Sequence, residues 1–387
     1  MTVLEEFITT AVDSGVVPGA VGVVGIGDHQ EVVARGVASP AGEALAADAI
    51  VQIQSMTKTI VAAATRRLIE AGRLGLDSPV EGWLPELADR SVLVDPDADL
   101  DQVVPADRSI TVSDLLACTS GYGMATSDSP LAAAMRANLT EAGAEPVAVG
   151  ADEWLAAIAE LPLTFQPGRN WRYHHSYAIL GILLSRLAGR PLGELLEAEI
   201  FAPLGMTDTA FFVPDDKIGR LSAAYRYGDD GALTVTQPAG GGFYAGPPPF
   251  DVSHAELVST AADFARFAAM LCGGGSVGGV RVLSAESVRA MLSDSVDPTA
   301  KTPDAFFDPT FWDGQSWAHG GSVTLAGDHP GRYSWAGGQG TCFTLDPGGG
   351  YAVLLTQVEL GDATWGLIGG LDELLTAASQ QHPGPAD

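Results

Sequence analysis

Two hydrophobic periods alternate along the chain, and their order predicts its architecture. Residues 2–13, "TVLEEFITTAVD", carry apolar positions at helical spacing. "GAVGVVGIGD" and "EVVARGVAS" then read as two strands of a hairpin that turns at His29-Gln30. Helical spacing returns with Met56, Ile60, Val61, Ala64 and Leu68 and stops at Gly72. "TVSDLLAC", "GADEWLAAIAEL" and "SYAILGILLSRLAGRP" continue in helical register, the last ended by Gly189 and Pro191. "LVSTAADFARFAAMLCGGG" is a further helix, with Ser259 or Thr260 as its cap. "RYSWAGG", "GTCFTLDP" and "GYAVLLTQ" read as three strands, followed by a closing helix from about Leu367. Strands at both chain ends must pair with each other if they build one sheet. The middle is then a helical insertion in a single α+β unit, not a second domain.

Composition narrows the partners. At 387 residues and 46% apolar content the chain can bury a sizeable core. Its net charge of −28 repels phosphate backbones and anionic headgroups, so neither nucleic acid nor a membrane surface is an expected partner. "MTVLEEFITTAVDSG" lacks the basic-then-apolar signature of a signal peptide, and "AILGILL" is far too short to span a bilayer. Cys118, Cys272 and Cys342 are odd in number, widely spaced and without a CxxC pair. That argues against a disulfide framework or zinc site and for a reducing, cytoplasmic setting.

Lysine usage points to the chemistry. Only three lysines occur, Lys58, Lys217 and Lys301, and Lys58 follows Ser55 by three residues at the head of an apolar helix. Residues at i and i+3 share a helix face. A serine hydroxyl is a poor nucleophile until a neighbouring base takes its proton, and a lysine whose pKa is depressed by burial can be that base. The backbone N–H of Ser55, at the positive end of the helix dipole, suits a developing oxyanion. In "WRYHHSYAILG", Tyr173 stands where a loop can deliver its hydroxyl into a cleft; held close to a lysine ammonium, its pKa is expected to fall. In "RYSWAGGQGTCFTLDP", Gly337 and Gly338 let a substrate approach a strand edge. "GGSVG" at 274–278 falls in a loop after a helix, not in the strand-to-helix turn that a nucleophile elbow requires. His174-His175 makes a poor metal pair, since neighbours on extended chain point to opposite sides; no metal or organic cofactor is expected.

In this order, Ser-x-x-Lys, the Tyr173 segment and a late Trp-x-Gly resemble the penicillin-recognising serine hydrolases. The closest likeness is to the class C β-lactamase-like family VIII carboxylesterases and related acyltransferases. "GRLGLDSPVEGWLPEL", "ITVSDLLACTSGYG", "PLGMTDTAF" and "LVSTAADFARFAAML" extend the likeness over nearly the whole chain. The resemblance implies a β-lactamase/transpeptidase-like fold, a central antiparallel sheet flanked by helices. The sheet lobe would span approximately 1–50 and 215–387, and an inserted helical lobe approximately 51–214. It implies Ser55 as the acylated nucleophile, Lys58 and Tyr173 sharing its proton in an order left open, and the backbone N–H groups of Ser55 and Gly338 as the oxyanion hole. Trp335 takes the place of the lysine in the Lys-Thr-Gly of β-lactamases, and His175 that of an asparagine. An indole offers a flat apolar wall and no cation for a substrate carboxylate, unless Arg172 or Arg332 supplies one. The implied activity is therefore a carboxylesterase for small uncharged esters. An acyltransferase or amidase, a β-lactamase or peptidase, and a catalytically silent binding protein are the alternatives. Expected contributors to substrate binding are His175, Tyr177, Phe243, Tyr244, His254, Trp335, Ala336 and Gly337, with Trp171 and Trp312 as further cleft aromatics. "SHAE", Ser253 to Glu256, departs from the glycine run of related esterases and hints at a specialised substrate or acceptor.

Overall fold

A computed structural model of the protein describes residues 1–143, 145–347 and 349–382. Its centre is a seven-stranded antiparallel sheet assembled from both ends of the chain. The N-terminal end contributes β1 (Gly19–Ile26) and β2 (His29–Gly36). The C-terminal end contributes β3 (Gln315–Trp317), β4 (Ser322–Thr324), β5 (Tyr333–Gly337), β6 (Thr341–Asp346) and β7 (Gly350–Leu355). Their order across the sheet is β3-β4-β5-β6-β7-β1-β2, and the two ends join where β1 pairs with β7, Val21 opposite Leu355 and Val23 opposite Val353. The hairpin closes at Gly27-Asp28, not at His29-Gln30 as the hydrophobic pattern predicts. Gly27 takes φ 56, a conformation that glycine adopts without steric penalty, and this frees His29 to begin β2.

β1 is buried at every position, and its residues alternate between two cores. Ala20, Val24 and Ile26 meet α1 (Val3–Asp13) and the C-terminal helix on one face; Val21 and Val23 join the larger core on the other. That larger core holds α2 (Thr57–Glu70), α3 (His175–Ala188) and α4 (Ala261–Cys272). α4 starts where Thr260 accepts the Asp263 N–H, and α3 ends at Gly189. The C-terminal helix, α5 (Asp362–Gln381), begins well before Leu367: the Thr364 hydroxyl accepts the Gly361 N–H and nucleates the first turn within a stretch whose Gly and Asp read as loop. No helix among the described residues is long and apolar enough to cross a membrane.

For the site, the decisive detail is at β5. β4 pairs with β5 only at Tyr333 and Ser334, so on that side Trp335, Ala336 and Gly337 continue as an edge open to a cleft. A short turn, Gln54–Met56, sits against them just ahead of α2. The approach is so close that a Cβ on Gly337 would lie 2.4 Å from the Ile53 carbonyl oxygen. Only glycine fits there.

Candidate active site

Ser55 occupies the turn before α2, and Lys58 lies in the first turn of the helix. Lys58 is fully buried, with its Nζ 2.9 Å from Ser55 Oγ and donating to the His254 carbonyl at 2.5 Å. Burial holds its pKa well below the ordinary lysine value, with the Cys118 thiol opposing only weakly. Desolvation therefore outweighs the attraction of a chain carrying −28, and favours the neutral amine that a base requires.

Tyr173 arrives from the loop before α3 and is equally enclosed. The Trp335 indole N–H donates to its hydroxyl at 2.8 Å, while Lys58 Nζ lies over its ring, 4.4 Å from the centroid. The lysine thus meets the π face, not the oxygen. Burial raises the Tyr173 pKa, and the Ser55 and Trp335 hydrogen bonds oppose it only in part. This corrects the expectation that a nearby lysine lowers it: at neutral pH the phenol keeps its proton. Trp335 is accordingly more than a flat wall, because it fixes the direction of the phenol oxygen.

Ser55, Tyr173 and Trp335 border a cleft of about 1040 Å³, lined also by Gln54, Ala336 and Gly338, with Lys58 fully buried behind Ser55. The Gly338 N–H finds no acceptor among the described residues, and Ser55 lies beside it in the same cleft. Gly337 lies beneath, as the close contact of β5 with the Ser55 turn. No lysine or arginine lines the cleft among the described residues. Arg172 is buried and paired with Asp304 at 3.3 Å, and Arg332 with Asp346 at 2.8 Å, so neither supplies the cation that Trp335 lacks.

Several expected pocket residues lie elsewhere. His175 turns away from the cleft, its Nε2 2.6 Å from the Thr140 carbonyl oxygen and its ring stacked on Trp154. Tyr177 is core, its hydroxyl donating to the Leu116 carbonyl at 3.1 Å. Both follow from helical geometry, since α3 begins at His175 and directs these side chains into the helical core. Phe243 and Tyr244 pack with Ile50, Val213, Leu221 and Val258 in a separate small cluster. Trp171 is wholly buried behind the cleft wall, and Trp312 donates its indole N–H to the Thr302 carbonyl. His254 touches Lys58 through its backbone oxygen, while its ring lies tilted by 42° to that of His174, the centroids 3.9 Å apart.

His174, Phe306, Phe307, Phe311 and Gln54 border the cleft instead. His174 sits at φ 94, an uncommon conformation outside glycine, and burial, reinforced by His254 and Lys58, holds its imidazole neutral. Phe306 and Phe311 pack 5.0 Å apart against Tyr173 and Trp335, with Phe307 61% exposed at the mouth. The available signal for them was "DAFFDPTFWDG", an aromatic run in a loop otherwise rich in turn residues.

The Beta-lactamase family model matches residues 4–361. "Protein Rv1367c" of Mycobacterium tuberculosis is 38% identical over 320 residues, covering 79% of this chain and 77% of that one. Esterase EstB of Burkholderia gladioli is 34% identical over 197 residues, half of this chain (50%) and 48% of its own. The solved structure of "EstCE1, a hydrolase with promiscuous acyltransferase activity" superposes with a TM-score of 0.79 at 22% identity, covering 96% of this chain and 97% of that one. The family model spans nearly the whole chain and the Mycobacterium tuberculosis relative is 38% identical over 79% of it, so the chain belongs to the Beta-lactamase family of serine hydrolases, among relatives that include an esterase.

Proposed function

We propose that the protein is a serine esterase working through an acyl-Ser55 intermediate. The observation that carries the reading is the fully buried Lys58 amine 2.9 Å from Ser55 Oγ. Lys58 takes the hydroxyl proton as Ser55 Oγ bonds to the ester carbonyl carbon. The carbonyl oxygen becomes an oxyanion between the N–H groups of Ser55 and Gly338. As the C–O bond to the alcohol breaks, the proton passes from Lys58 to the departing oxygen, with the Tyr173 hydroxyl as relay. Water then attacks the acyl group, gives up a proton by the reverse route and releases the acid and free Ser55.

An ester without an anionic group suits this cleft, because no basic side chain lines it among the described residues. A β-lactam or peptide carboxylate would find no partner there. The volume lies at the upper end of small-molecule sites, which extends the reading from small esters to bulky uncharged ones. It also leaves room for an acceptor alcohol or amine, and so favours acyl transfer as the second reading. The partner in either case is a small acyl donor, and three unpaired cysteines suit a cytoplasmic setting.

The test is hydrolysis of p-nitrophenyl acetate and butyrate by the parent and by Ser55→Ala, with and without added alcohols. Turnover lost in the variant supports the reading, and ester products in the presence of alcohol favour transfer. Equal turnover in both proteins sinks it.

A further inference from the structure

We infer that Gln54, the residue before the nucleophile, is a catalytic residue that supplies a side-chain N–H donor to the oxyanion, beside the two backbone donors. The inference rests on the acyl-Ser55 reading and extends it by naming a third donor. Three independent observations converge on this side chain. Its backbone stands at φ 47, in the left-handed region that non-glycine residues rarely adopt. The residue is 8% exposed, and its carboxamide makes no hydrogen bond to another side chain or backbone group among the described residues. It lines the cleft together with Ser55 and Gly338.

A strained backbone persists where the surrounding fold over-determines it, and such positions cluster at sites of chemistry. The surroundings here are explicit. The next residue is bound to Lys58, and Gln54 Cβ lies 3.0 Å from where a Cβ on Gly337 would sit, so the turn and β5 are pressed together. The carboxamide oxygen lies 3.8 Å from the corresponding point on Gly338, so the side chain reaches along the turn to the glycine whose N–H is unpartnered among the described residues. The amide faces the cleft without a protein partner, so its donors meet only cleft water in the empty enzyme and are free for a substrate oxygen. An acyl oxygen bearing negative charge would satisfy it, and most strongly when the charge is fully developed. That is the condition under which binding energy raises kcat and not merely affinity.

Two variants test this. Gln54→Met keeps the length and removes the amide; Gln54→Gly removes the side chain and accepts φ 47 without strain. Both are expected to lower kcat for p-nitrophenyl butyrate on the order of a hundredfold, with KM little changed. The affinity of a boronic acid that mimics the tetrahedral state should fall in the same proportion. Gln54→Gly should melt no lower than the parent, whereas a purely structural role predicts a lower melting point and intact kcat in the folded fraction. Unchanged kcat and boronate affinity in both variants, with the parent still labelled at Ser55 by a fluorophosphonate, would overturn the role of Gln54 alone. A parent that is not labelled at Ser55 would remove the acyl-Ser55 reading and this inference together.

Discussion

The two faces of the central sheet are built on opposite principles. Against α1 and α5 the core is almost wholly aliphatic, with Leu4, Ile8, Val24, Leu354, Leu371 and Leu375 all buried. The core that holds α2 and α3 encloses Lys58, with His174, His175 and His254 buried near it and His319 buried against Arg66 further along α2. Burial lowers the pKa of all four histidines, to about 4 for His175 and about 3 for His319, so three neutral imidazoles neighbour a lysine that is itself short of charge and a fourth neighbours Arg66. One face gains stability from apolar burial at roughly 25 cal/mol per Å². The other gives up part of that gain to keep titratable groups out of water, where the chemistry needs them.

The comparison is tested most severely by Lys58→Met. Loss of the base should lower esterase turnover on the order of a thousandfold. The same variant should be more stable than the parent at neutral pH. Lys58 is held below its unfolded pKa, so the unfolded parent binds an extra proton and parent stability rises with pH until the unfolded value is passed. Melting curves from pH 6 to 10 should show the gap narrowing toward the alkaline end, and a variant less stable than the parent throughout would break the contrast.

On the aliphatic face, Leu375→Ala should act in reverse. Leu375 is fully buried, so its truncation is expected to lower unfolding free energy by about 2–5 kcal/mol, read from denaturant curves. The kcat of the remaining folded protein should stay at the parent value. A large fall in kcat would mean that the two faces are not separable.

The smallest effect concerns Glu256, in the segment that also presents the His254 carbonyl. Burial raises its pKa to about 8, against a hydrogen bond from the Val147 N–H that lowers it. A folded pKa raised above the unfolded one gives stability that is lost as pH climbs from the ordinary carboxyl range through about 8. Glu256→Gln does not titrate, so its stability should overtake the parent's as pH rises toward about 8 and match it near pH 5. Equal stability of the two proteins at pH 9 would show that the carboxyl is not held neutral.

How much of this was legible in the sequence depends on the distance over which each feature is decided. The helices and the three C-terminal strands follow local periodicity, and Ser55 with Lys58 follows one helical turn. Tyr173 and Trp335 were legible through resemblance, but their hydrogen bond joins residues far apart in the chain. The pocket walls were misread for the same reason. Tyr177 and His175 differ from cleft residues only in the direction α3 imposes on them, which a string of letters does not carry. Phe306 and Phe311 lie in a loop without periodicity, so nothing local marked them as facing Ser55. Gln54 escaped because its signal is a dihedral angle.

The pairing of β1 with β7 sets how late in synthesis the sheet can close. Residues near position 20 must wait for residues near 355 before the middle of the sheet can close. Contacts of such long sequence separation are formed late and slowly. The cleft inherits this delay, because Gly337 and Trp335 complete it from the same late segment. A nascent chain therefore carries Ser55 and Lys58 long before it carries their environment, and during that interval the lysine is hydrated, charged and no base at all. On the acyl-Ser55 reading, reactivity is withheld until the strands at 333–355 have been made.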